Sequence, residues 1–470
     1  MSATATTEKK YLKWYQKLAY GSGDLASNCS YGLVSSFVLL YLTGTLGLDS
    51  AIIGSLMLAS KVLDGISDVI FGTLIDRTHS KLGKARPWML FGQVGVSLCL
   101  FLLFAIPAGS TTMQYIYFFI VYTALNAVFY TANGIAYSSL VALITKNNNE
   151  RVQLGSFRFM FAVVTNIFMG FAVTGMGEKF GSGAAGWRTT ALIFAIVGLV
   201  VNTISCLAVK ELPEEELSGN TSEAAEEGKA VAEEKKHGFA ETAKVLVHNK
   251  YYLMILAIYI VYYIMSNLTT GAGVFCATYY WGDGSLLGQF SMMKMFPVII
   301  ALAIAPVLIK KTGSMQKVNF WGYAISSVLG IPMIYFAMQK NLSMFLLFMF
   351  IKGVFAGTLS GSLNALIAEA SGYTTRTTGV HMDGMMYSCS SLGVKVGGGI
   401  GTAAVGWLLK LGGFVGTATV QSESAIRMIF NLYITFPFVI GIIITVLLAF
   451  LDVEKANKKW DAEHKKEAQA

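Results

Sequence analysis

The stretch AIIGSLMLASKVLDGISDVIFGTLIDRTHSKLGKARPW (51–88) decides the fold. Residues 51–75 are apolar except for small hydroxyl residues and three charges, Lys61, Asp64 and Asp68. A helix needs about 20 mostly apolar residues to cross about 30 Å of hydrocarbon. The run is too long and too continuous for a barrel strand, which alternates over about 10 residues. Arg77, Lys81, Lys84 and Arg86 follow directly, as in a loop held on the cytoplasmic side. A span, a basic loop and the next span at Trp88 therefore lie within this one segment.

The pattern repeats outward from there. Spans are expected at 24–45, 51–75, 87–107, 114–144, 155–176, 187–208, 251–281, 286–309, 317–338, 342–368, 378–411 and 425–451. Of the 470 residues 54% are hydrophobic and 13% charged, about half the charge of a soluble chain. Of the 35 Lys and Arg, 25 fall in the tails and the loops on one side of the spans. The opposite loops hold Lys179, Arg188, Lys340, Lys410 and Arg427. That asymmetry predicts both termini in the cytoplasm of a protein integral to the plasma (inner) membrane. It also assigns the net charge of +8 to topology and the lipid bilayer, not to a nucleic acid partner.

The N-terminal residues 1–18 read as a short amphipathic lead-in on the membrane surface. The five cysteines are scattered through apolar runs and read as packing residues, not metal ligands. The segment 209–250 is acidic and rich in Ala and Gly, and reads as a hydrophilic linker. The expected organisation is an N-terminal six-helix bundle (1–208), a cytoplasmic linker (209–250), a C-terminal six-helix bundle (251–451) and a cytoplasmic tail (452–470). The halves look related. LIDRTHSKLGKARPW (74–88) pairs with LIKKTGSMQKVNFW (308–321), and LVALITKNNNERVQLGSFRF (140–159) with LNALIAEASGYTTRTTGVHM (363–382). Both matches fall after corresponding spans, which argues for duplication. Six-span repeats are the arrangement of the major facilitator fold, so an all-α membrane protein of twelve transmembrane helices is expected.

Charges inside hydrocarbon need a partner or a water-filled cavity. Asp64 and Asp68 are spaced i, i+4 and share one helical face. Two such anions repel, and a bound cation or a shared proton relieves the repulsion. Ser67 and Thr131 offer further hard oxygen ligands, as Na⁺ prefers. The alternative is a pair neutralised by Lys61 or Arg158 with no exchangeable ion. Asp24 is either an interfacial helix cap or an acceptor for solute hydroxyls. Arg158 and Lys395 are buried cations that neutralise the aspartates or donate to a solute. Lys61, Lys294 and Lys352 are expected to snorkel to an interface. The glycines of GVKVGGGIGTAAVGW (393–407) read as close helix packing. No nucleotide loop, ion-filter segment or hydrolase motif appears, so neither an ATP-driven pump nor an enzyme is expected.

The segment KVLDGISDVIFGTLIDRTHSKLGKARPW (61–88) resembles the glycoside–pentoside–hexuronide:cation symporters, the melibiose permease family of the major facilitator superfamily. Their D-x-x-x-D pair and following basic loop match Asp64, Asp68, Asp76, Arg77, Thr78, Ser80, Gly83, Pro87 and Trp88. GSGDLAS, ERVQLGSFRF and TTGVHMDGMMYS…VKVGGG resemble three further family segments. The resemblance implies that Asp64, Asp68 and Thr131 bind the coupling cation. It implies that Asp24 and Arg158 contact sugar and that Lys395 links the halves near the cation. Ser67 stands where melibiose permeases have an asparagine, which leaves open whether Na⁺, H⁺ or Li⁺ is coupled. In span four, Gly134 and Ser138 replace a sugar-holding aspartate and a stacking tryptophan, with Asn133 beside the first. A melibiose-like galactoside is therefore not expected; a pentoside, a glucuronide or another glycoside is. The expected function is cation:sugar symport by alternating access, with no cofactor beyond the coupling Na⁺ or H⁺. A lysolipid carrier and a sugar sensor that does not transport are the alternatives.

Overall fold

Lipid offers the backbone no hydrogen-bond partner, so the apolar runs close their own bonds as helices. The computed structural model describes residues 9–181, 183–213, 246, 248–378, 383–418 and 420–467, among which there is no strand. Twelve long helices follow in order. They are α1 (Trp14–Thr45), α2 (Ser50–Asp76), α3 (Arg86–Leu103), α4 (Thr111–Ile144), α5 (Asn149–Gly177) and α6 (Ala184–Leu207). After the central segment come α7 (Lys250–Tyr280), α8 (Leu286–Thr312), α9 (Met315–Met338), α10 (Leu342–Thr377), α11 (Met386–Leu411) and α12 (Glu423–Glu463). Eleven have the length and composition of a membrane span. The other, α2, has 27 residues and reaches about 40 Å at about 1.5 Å per residue. Of the expected linker, residues 214–245 lie outside the described residues.

Local chemistry sets the helix starts. Side chains of Ser110, Asn147, Asn249, Ser314, Asn341 and Ser422 each accept a hydrogen bond from an amide in the first turn that follows. This satisfies donors that a helix N-terminus otherwise leaves open. Widened π turns interrupt several helices, including Ala124–Tyr130 in α4 and Gly393–Gly397 in α11. Such turns re-aim the side chains beside them and are common at functional sites.

The chain forms two compact units, Met1–Leu48 with Ala59–Lys236, and Asp49–Leu58 with His237–Ala470. Ser50–Leu58, the first nine residues of α2, thus group with the second unit. Within the first unit, α3 packs on α6 and on the last half of α4, around Tyr20, Met89, Leu140, Leu154 and Cys206. Within the second, α7 packs on α11 and α12, around Tyr251, Ile255, Ile258, Leu366 and Ile444. All five cysteines are buried and free.

Each unit caps its third helix with a distant carboxylate. Glu211 accepts the amides of Lys84, Ala85 and Arg86 at 2.7, 2.9 and 3.0 Å, at the start of α3. Glu454 accepts the amide of Met315 at 2.8 Å and the Ser314 hydroxyl, at the start of α9. An anion suits a helix N-terminus. The same device at matched places supports the internal duplication.

The lead-in residues Trp14–Gly21 form a short helix, with a turn at Ser22 before the helix that begins at Gly23. Glu150 at the start of α5 draws them in. It accepts the amides of Tyr11 and Leu12 at 3.1 and 3.2 Å and pairs with Lys17 at 3.0 Å.

The glycines of α11 pack as expected. A Cβ at Gly393 would lie 2.3 Å from Tyr259 Cβ, one at Gly397 2.4 Å from Ile260 O, and one at Gly401 2.6 Å from Ile264 O. Glycine every fourth residue lets α11 lie against the α7 backbone, where lipid supplies no hydrophobic drive to hold helices together. Gly401→Val is accordingly expected to destabilise the second unit by about 1–3 kcal/mol, the usual cost of overpacking. A lowered midpoint of thermal unfolding in detergent checks it.

Candidate functional site

Within the first unit, α1, α2, α4 and α5 bring two polar clusters together. The first is centred on Asp64, 9% exposed on α2. Its Oδ1 accepts the Thr131 hydroxyl at 2.6 Å, and Lys61 Nζ lies 3.5 Å from its Oδ2. Thr131 follows the π turn Ala124–Tyr130, and its hydroxyl also lies 2.9 Å from the Asn126 carbonyl inside that turn. Ser67 donates to the Asp64 carbonyl at 2.9 Å, so its oxygen keeps lone pairs for a ligand. Asp68 lies one turn on, half-buried. Lys61 also sits over the Tyr31 ring at 5.6 Å, and Tyr31 stacks on Tyr130 at 5.4 Å. Asp64, Asp68 and Lys61 together carry a formal charge of −1.

The second cluster joins α1, α4 and α5. Arg158 Nε meets Asp24 Oδ2 at 2.6 Å. The guanidinium lies 4.2 Å from the centre of the Tyr137 ring, and the Tyr137 hydroxyl donates to the same Asp24 oxygen at 3.2 Å. Asn28 donates to the Asp24 carbonyl at 2.7 Å and accepts from Asn166 at 3.1 Å. Asp24 and Asn28 are four residues apart and Arg158 and Asn166 eight, so each pair holds one face of its helix. Asp24 is thus an ion-pair partner within α1, not an interfacial cap. Arg158 answers Asp24, and Lys61 answers Asp64.

Two expected site residues lie elsewhere. Asn133 is 3% exposed and donates to Gln93 Oε1 at 2.7 Å. It fills the interface of α3 and α4, where Gly92 leaves room for its Cβ, and is not gathered with Asp24 and Arg158. This corrects its expected place among the solute contacts. Lys395 belongs to the second unit, at the centre of the π turn Gly393–Gly397. Tyr137, Asn28 and Asn166 were not singled out from the sequence. Their only signal was polar spacing of four within apolar runs.

A family model described as "MFS/sugar transport protein" matches residues 19–455. The chain belongs to this family. It is a transporter of the major facilitator type and not an enzyme, and the resemblance to the glycoside–pentoside–hexuronide:cation symporters is borne out. The isoprimeverose transporter of Lactiplantibacillus pentosus is 27% identical over 459 residues, 97% of this chain and 92% of that protein. A putative glycoside/cation symporter of Escherichia coli (strain K12) is 23% identical, over 94% of this chain and 92% of the relative. Among solved structures, a D-xylose–proton symporter superposes with a TM-score of 0.65 at 12% identity, covering 94% of this chain and 98% of that one. This family member therefore shares the symporter's fold.

Proposed function

We propose that this transporter moves a glycoside or related sugar together with Na⁺ or H⁺, and that Asp64, Asp68, Thr131 and Ser67 hold the cation. The observation that carries the reading is the Asp64–Thr131 bond beside a second carboxylate, in a trio whose formal charge is −1. Binding one monovalent cation, or one proton, brings that trio to neutrality. The Asp24–Arg158–Tyr137 cluster is the companion solute site, offering carboxylate, guanidinium and aromatic groups to sugar hydroxyls. The names of the similar symporters support a sugar as cargo, and the basic-residue asymmetry supports cytoplasmic termini.

Uptake of a labelled glycoside panel into proteoliposomes tests this, with a Na⁺ gradient and a pH gradient imposed separately. Stimulation by one gradient is expected; uptake indifferent to both refutes coupling. A second prediction concerns Lys61. At 3.5 Å its ammonium competes with a bound cation for Asp64, so Lys61→Gln is expected to tighten cation binding. The concentration giving half-maximal stimulation should fall by about threefold or more, equivalent to roughly 0.7 kcal/mol.

A further inference from the structure

The second unit holds a cavity of about 180 Å³ that the coupling residues do not touch. Two lysines line it, Lys294 of α8 and Lys352 of α10. Their expected snorkelling to an interface is thereby corrected. The helix crossing explains their convergence: a Cβ at Gly353 would lie 2.8 Å from Pro297 Cβ, and one at Gly357 2.7 Å from Ala301 Cβ. Small residues on α10 let α8 approach closely, and both lysines flank that crossing within one turn of it.

The chemistry around them is one-sided. Lys294 Nζ donates to the Thr269 and Thr270 hydroxyls at 3.2 and 3.0 Å. Lys352 makes no hydrogen bond or ion pair among the described residues. The described lining includes the hydroxyls of Tyr262, Ser360 and Ser326, and none of it is acidic. Ammonium groups inside a membrane bundle are costly and mark ligand or ion pathways. Two of them lining one cavity without a carboxylate call for an anion from outside the chain.

We propose that Lys294 and Lys352 form an anion-binding site that takes the carboxylate of a small hydroxylated acid. The carboxylate oxygens lie between the two ammonium groups, as charge-assisted hydrogen bonds favour. The ligand's hydroxyls meet Tyr262 and Ser360, whose own oxygens are 2.8 Å apart. The site lies within the second unit, so it does not depend on the cation site around Asp64.

Calorimetric titration of the purified full-length protein with D-gluconate and with neutral D-glucitol, at matched Na⁺, tests this. Gluconate is expected to bind at least about tenfold more tightly than glucitol, the scale of one hydrogen bond to a charged group. Lys352→Met should lose that margin and Lys352→Arg should keep it. Ser360→Ala, a milder change, should weaken gluconate and glucitol alike. The margin of gluconate over glucitol should persist in the presence of a saturating neutral glycoside, which separates failure here from failure of the sugar-symport reading. Equal affinity for the two probes, unchanged gluconate binding in Lys352→Met, or stoichiometric displacement of gluconate by phosphatidylglycerol would each overturn the assignment.

Discussion

Asp64→Asn is expected to lower cation-driven sugar accumulation by about a hundredfold, equivalent to about 2.7 kcal/mol, while solute exchange without a gradient persists. The argument begins with repulsion. Carboxylates four residues apart on a helix sit about 6 Å from each other, so at an effective dielectric near 20 they repel by about 3 kcal/mol. Lys61 relieves Asp64 from one side and Thr131 donates from another, yet the trio still carries one net negative charge. Asparagine keeps the shape and the Thr131 contact but removes that charge, and with it the reason for a cation to enter. Lys61 then faces a neutral amide and becomes an added electrostatic barrier. Coupling is reciprocal, so the variant should also lose the cation's effect on sugar affinity. Measuring sugar binding with and without cation, beside accumulation, checks both. Accumulation that stays within a few-fold of wild type would sink the cation site.

The division between what the sequence reveals and what it hides follows from physics. Spans were legible because lipid demands about 20 apolar residues in a row, and among the described residues eleven helices have the length and composition of a span, with α2 as a twelfth long helix. Asp64, Asp68 and Arg158 were legible because a charge in an apolar run is conspicuous. Their partners were not. Arg158 had three carboxylates to choose from, and only the packing of α5 on α1 selects Asp24. Asn133 was drawn into the expected site by its neighbour Gly134, but one residue rotates a helix by about 100°, enough to turn it onto Gln93. Lys294 and Lys352 stand 58 residues apart in sequence, and only the close α8–α10 crossing gives them a common cavity. The contact of the lead-in with Glu150 is likewise illegible, because the partners stand 138 and 139 residues apart.

Arg158→Met is expected to cost both sugar binding and stability, whereas Arg158→Lys should restore stability and little of the binding. The two effects separate because the guanidinium does two jobs. It neutralises Asp24 at 2.6 Å with both side chains largely removed from solvent, and leaving one charge of such a pair alone costs about 3–5 kcal/mol. Methionine imposes that cost; lysine, still cationic, does not. Arginine also offers five N–H donors on a planar fork, only one of which is the Nε that meets Asp24, and a flat face set 4.2 Å from the Tyr137 ring. Lysine has neither the fork nor the face. If solute hydroxyls are read by that fork, sugar affinity in Arg158→Lys should fall by about tenfold or more, as for a lost hydrogen bond to a charged group, while the thermal midpoint stays near wild type. Arg158→Met with Asp24→Asn should recover stability because no charge is stranded, yet bind sugar no better than Arg158→Met alone. Full binding in the double variant would show that the cluster only holds α1 to α5, and that the solute is recognised elsewhere.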